Sequence, residues 1–158
     1  MTLKAAQTAQ TSSLLQRNTV KHLPQFGLVT NLVEAENETN RLLRLGRAYF
    51  APTMCIVLHV LETNQIIKYV PAQYTMLGRN GEDIDLTSFN AQEMGVSRRH
   101  ARLIRSAATL MIEDLGALNG TFLNSERLSG GQPNVICDGD EVRLGLLSFK
   151  VAFERKQP

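Results

Sequence analysis

Residues 109–128 read TLMIEDLGALNGTFLNSERL, and this stretch sets the fold class. Thr109–Glu113 is a short, mainly apolar run that breaks at Asp114-Leu115-Gly116. Thr121–Leu123 and Glu126–Leu128 then flank Asn124-Ser125, a two-residue connection in which Asn tolerates positive φ. Runs this short, bounded by Gly, Asn, Asp and Ser, read as strands joined by turns. The same texture extends both ways. Upstream, His100–Arg105 meets Thr109–Glu113 around Ser106-Ala107-Ala108, and Cys55–Leu61 and Ile66–Val70 flank Glu62-Thr63-Asn64-Gln65. Tyr74–Arg79 leads into Asn80-Gly81, and Ile84–Leu86 is a brief strand before an irregular segment through Val96. Downstream, Asn134–Cys137 and Glu141–Leu144 flank Asp138-Gly139-Asp140, where Asp-Gly is a strong turn signal. Leu147, Phe149, Val151 and Phe153 alternate with less apolar residues, the period of a half-buried strand. The expectation is an all-β sandwich over residues 53–155, with 156–158 as a C-terminal end.

Residues 1–52 differ in character. The first thirty are rich in Thr, Gln, Ser and Asn and show no sustained period, which reads as a mobile tail. A short helix is expected near 31–45, with Asn31 placed to cap it, Glu34 completing a capping-box-like pair and Gly46 as the stop. The tail carries a net +3 and residues 53–158 a net −1, within an overall +2. Such a small imbalance argues against a nucleic-acid partner, and Arg102 and Arg105 should fall on opposite faces of their strand, with no aromatic platform beside them. The apolar run Met54–Leu61 is too short to cross a bilayer, and no apolar leader opens the chain. Cys55 and Cys137 sit among apolar neighbours with no CxxC pair, as reduced core thiols would. The expected location is the cytoplasm.

Three clusters stand out at strand ends and loops: Leu77-Gly78-Arg79-Asn80, Val96-Ser97-Arg98-Arg99-His100, and Asp114 through Thr121. The first two offer guanidinium and hydroxyl donors without an acid, and the third adds the Asn119 amide. Donors without compensating acceptors suit an anion, and a phosphate dianion with three acceptor oxygens suits them best. The ordered set LGR, SRRH, DLGALNGT and DGDEVRLG resembles the forkhead-associated (FHA) domain, here of a small standalone bacterial type.

The resemblance implies a sandwich of about eleven strands whose apical loops bind phosphothreonine peptides. Carried onto this chain, Arg79 and Ser97 would hold the phosphate, and Arg98 would add a second cationic or backbone contact. Asn119 would bond the peptide main chain. Gly78, His100, Gly120 and Thr121 would hold loop geometry, and Asn80, Arg99 and Leu118 stand where the peptide can touch. A second LGR at 45–47 ends a helix-like stretch more than forty residues before Ser97, so Arg79 is the better match. One departure matters: the family commonly has Ser-Thr where this chain has Ala117-Leu118. Leu118 cannot donate to the phosphate, and a hydrogen bond to a charged group is worth about 1.5–3 kcal/mol. The second reading is therefore a degenerate FHA sandwich that binds a protein partner without phosphate.

Catalysis is not expected. Gly95-Val96-Ser97-Arg98-Arg99 lacks the final Gly of a nucleophile elbow, and no acid partner for Ser97 and His100 is evident. His22, His59 and His100 have no ligand spacing, and no phosphate-binding P-loop occurs, so no metal or cofactor is expected. The expected partner is a phosphothreonine protein from Ser/Thr-kinase signalling. A tail threonine (Thr8, Thr11, Thr19, Thr30 or Thr39), once phosphorylated, is a candidate for self-association.

Overall fold

Eleven strands form in the order in which the sequence places them. They are β1 (Met54–Val60), β2 (Ile66–Tyr69), β3 (Tyr74–Gly78), β4 (Ile84–Asp85), β5 (Ala101–Ser106), β6 (Thr109–Asp114), β7 (Thr121–Leu123), β8 (Glu126–Arg127), β9 (Asn134–Ile136), β10 (Glu141–Leu144) and β11 (Leu147–Arg155). This computed structural model describes Arg44 and residues 46–157. One sheet runs β2-β1-β11-β10-β7-β8 and the other β4-β3-β5-β6-β9. All pairs are antiparallel except β3 with β4. Among the described residues no helix is long and apolar enough to cross a membrane.

The two-residue period builds the core. Leu147, Phe149 and Val151 of β11 and Ile56, Leu58 and Val60 of β1 point inward from the first sheet. Leu77, Ala101, Leu103, Leu110 and Ile112 meet them from the second. With no Trp, aliphatic side chains fill most of this space, and full burial of each is worth about 1.5–3 kcal/mol. Cys55 and Cys137 are both buried and unbridged, and burial pushes the Cys137 thiol pKa up, which keeps it neutral.

The sandwich also takes in residues that the sequence assigned to the tail. Its compact unit is Leu43–Pro158, and Phe50 is 0% exposed. The Phe50 ring meets Phe153 edge-on at 4.8 Å, with the Arg105 guanidinium over its face. Phe50, which lies ahead of the expected boundary at residue 53, therefore packs with the sandwich, and a lone aromatic carries no period to reveal such docking. Arg44, Gly46 and Arg47 are helical, so helical backbone passes the expected stop at Gly46. The rest of the helix expected near 31–45 lies outside the described residues. A further difference concerns the β7–β8 turn, where φ is positive at both Asn124 (49°) and Ser125 (71°). Asn suits that region, but Ser125 sits where Gly is preferred, so this substitution of the usual Asn-Gly carries some strain.

Candidate functional site

The sandwich has two ends, and the loops at one of them hold the predicted residues. Gly78 closes β3 where the backbone of the next loop passes close by: a Cβ there would lie 1.8 Å from the Arg98 carbonyl oxygen. Only glycine allows that approach. It lets the Arg79 amide share itself between the carbonyls of Ser97 (3.3 Å) and Arg98 (3.1 Å). The Arg79 side chain then folds so that Nε donates to the Val96 carbonyl at 2.9 Å. Its Nη groups remain for a ligand, and among the described residues no carboxylate lies within 4.0 Å of Arg79 or Arg98.

His100 ties this loop to the third cluster. Nδ1 accepts from the Ser97 amide at 3.0 Å, which makes Nε2 the protonated nitrogen, donating to the Gly120 carbonyl at 3.0 Å. The ring is 0% exposed, and desolvation lowers its pKa from the ordinary imidazole value. A neutral ring is what the two bonds require, because a protonated Nδ1 could not accept from Ser97. His100 thus uses both nitrogens on backbone and leaves neither for proton transfer.

Asn119 donates from Nδ2 to the Gly95 carbonyl at 2.9 Å. Gly95 has φ of +73°, and a Cβ on it would strike that amide at 2.4 Å, so Gly95 is as much a part of the site as Asn119. Gly120 also has positive φ (+72°), and its carbonyl accepts a second bond from the Gly145 amide. Thr121 donates its hydroxyl to buried Asp114 at 2.6 Å, while the other Asp114 oxygen accepts from the Gly116 amide. The β10–β11 turn closes the group through a bond from the Leu146 amide to the Met94 carbonyl.

Asn80, Arg99 and Leu118, expected where the peptide can touch, face solvent. Arg99 is exposed and 3.9 Å from Glu82, a weak surface pair. Asn80 is exposed with φ of +69°, its amide bonded to the Thr87 hydroxyl. That hydroxyl in turn donates to Asp85, whose carboxyl is held below its ordinary range by Thr87, so the loop absorbs this negative charge itself. Leu118 is 87% exposed. The backbone of Val96, Ser97 and Arg98, which takes up Arg79, thus runs directly on from Gly95, which takes up Asn119. Sequence reasoning gave no role to Gly95, the Val96 carbonyl or Asp114, although Val96 and Asp114 lie in clusters it singled out. Only glycine just ahead of Val96-Ser97 and the acid opening DLG could have signalled them, since the contacts lie many residues apart.

Comparison with known proteins agrees with this fold. Residues 75–145 match the family model of the FHA domain, which takes in every apical cluster. The chain is 38% identical over 80 residues to the oxoglutarate dehydrogenase inhibitor of Corynebacterium diphtheriae, covering 50% of this chain and 49% of that protein. It is 36% identical over 61 residues to the glycogen accumulation regulator GarA of Mycolicibacterium smegmatis, covering 39% of this chain and 35% of that one. Among solved structures, Mycobacterium tuberculosis EmbR in complex with a low-affinity phosphopeptide matches with a TM-score of 0.54 and 26% identity, over 66% of this chain and 26% of that chain. The chain thus spans about half or less of the length of these curated relatives. Residues 75–145 of the sandwich thus match the FHA domain, and the loops at this end carry the chain's own LGR, SRRH and NGT residues.

Proposed function

We propose that this chain is a non-catalytic, phosphothreonine-binding adaptor of Ser/Thr-kinase signalling. The observation that carries this reading is that Arg79 and Arg98, neither with a carboxylate within 4.0 Å among the described residues, stand on either side of Ser97 in a loop tied together by the Arg79 backbone bonds and by His100. Arg79 is pre-set by its bond to Val96, so little side-chain freedom is lost when its fork meets a phosphate. Asn119 orients the peptide main chain beside it. The regulator and inhibitor names of the bacterial relatives, and the phosphopeptide bound by EmbR, support a signalling role. Exposed Leu118 is the observation on the other side: without a hydroxyl there, affinity is modest. Partners are phosphothreonine proteins, among them a second copy of this chain phosphorylated on a tail threonine.

The test is a titration of phosphothreonine peptides with phosphoserine and unphosphorylated controls. Selective binding of the phosphothreonine forms, weakening as pH falls below the second phosphate pKa of about 6, is the expected result. Phosphate-independent binding by the folded protein would instead establish the repurposed sandwich.

A further inference from the structure

The outer face of the six-stranded sheet carries a feature that the phosphate site does not use. Phe122 of β7 pairs in register with Arg127 of β8 on one side and Arg143 of β10 on the other, so the three side chains form one row across neighbouring strands. Both guanidinium groups lie over the Phe122 ring, with Cζ at 5.9 Å for Arg127 and 3.7 Å for Arg143. Neither has a carboxylate within 4.0 Å among the described residues. Arg143 donates Nη1 to the Gly145 carbonyl. Arg127 is exposed and its side chain makes no hydrogen bond among the described residues, yet it packs against Gly120, where a Cβ would lie 2.8 Å from its Nε. Two like charges on one ring raise the positive potential of this face, and an anion bound by the exposed Arg127 lowers it.

The row lies close to the phosphate site. Gly120 follows Asn119, and its carbonyl connects to the Ser97 amide through two 3.0 Å hydrogen bonds and a single imidazole ring. An extended peptide advances about 3.3 Å per residue, so a side chain about two to four residues from a phosphothreonine at Ser97 reaches Arg127.

We propose that Arg127, braced on Phe122 and against Gly120, is a second anionic subsite that takes an acidic side chain or a second phosphate of the same peptide. The proposal rests on the phosphothreonine reading above. It makes Arg127 a specificity-determining residue, preferring ligands with an acid beside the phosphothreonine. The planar guanidinium suits either source by forming two parallel bonds to a carboxylate or phosphate.

The test is fluorescence polarisation with phosphothreonine peptides in which Asp, phosphoserine, Ala or Lys is walked through about four positions on each side. Wild type, Arg79→Ala, Arg127→Gln and Arg127→Glu proteins are compared, each checked for unchanged thermal unfolding. At one or two positions Asp should bind about three- to tenfold tighter than Lys in wild type. The preference should vanish in Arg127→Gln and reverse in Arg127→Glu. A larger gain for phosphoserine than for Asp would identify a second phosphate as the better occupant. Equal affinity for Asp and Lys peptides at every position, with binding still abolished by Arg79→Ala, overturns the second subsite and leaves the first standing. So does equal weakening of all peptides in Arg127→Glu. Absence of any phosphothreonine binding in the folded wild type overturns both.

Discussion

Two arginines in this chain follow the same Leu-Gly pair, and the sandwich gives them opposite surroundings. Arg47 lies at the β9–β10 end, where Nε donates to the Asp138 carbonyl at 2.7 Å and Nη2 stands 3.9 Å from Asp140. Arg44 joins it at 3.6 Å from the same carboxylate. Asp140 is almost fully buried and also accepts from the Cys137 amide and the Asn124 side chain. Arg79, at the end of β3, is bonded only to backbone and faces no acid among the described residues. The tripeptide is identical, so the difference lies in what the fold places opposite each guanidinium. At one end positive charge is used up in holding the chain entry against the Asp138-Gly139-Asp140 turn. At the other it is left free, where it can attract an anion.

This contrast makes the two ends separable by mutation. Removing the anchor of the lower end should have the largest effect on stability. Phe50→Ala leaves a cavity beneath Arg105 and Phe153 and should cost about 3–5 kcal/mol in chemical denaturation, with affinity of the surviving folded protein unchanged. Asp140→Ala comes next. It strands the Cys137 amide and two arginines, and a loss of about 2–3 kcal/mol is expected, again without effect on peptide affinity. A change in affinity in either variant would show that the two ends are coupled.

The pH dependence of stability sharpens the comparison from the other side. The folded His100 pKa is lowered by burial, so below the ordinary value of 6.5 the unfolded chain takes up a proton that the native ring resists. Stability is fully present above that pH and falls as pH drops toward the native value, by up to about 1.4 kcal/mol per pH unit. His100→Gln, followed by denaturation from pH 7.5 to 5, should flatten that slope. An unchanged slope would assign the acid sensitivity to other groups.

Much of this was legible in the residues themselves. All eleven strands were marked by local signals, because turn residues and two-residue alternation act over short spans. The site motifs were legible for a related reason: Gly78, Ser97, His100 and Asn119 are constrained by steric and hydrogen-bonding demands that few other residue types meet. What escaped were long-range partnerships. Phe50 enters the core through contacts a hundred residues away, and Gly95 serves Asn119 across 24 positions. The Thr87–Phe89 turn of 3₁₀ helix within the irregular segment carried no periodic signal, and neither did the Arg127–Phe122–Arg143 row, whose strands alone bring it together.

The most direct test titrates one phosphothreonine peptide against wild type, Arg79→Ala and Arg47→Ala. Loss of about a hundredfold or more in affinity for Arg79→Ala, with Arg47→Ala binding like wild type, is the predicted result. Equal affinity of Arg79→Ala and wild type, from proteins that unfold at the same temperature, would contradict it.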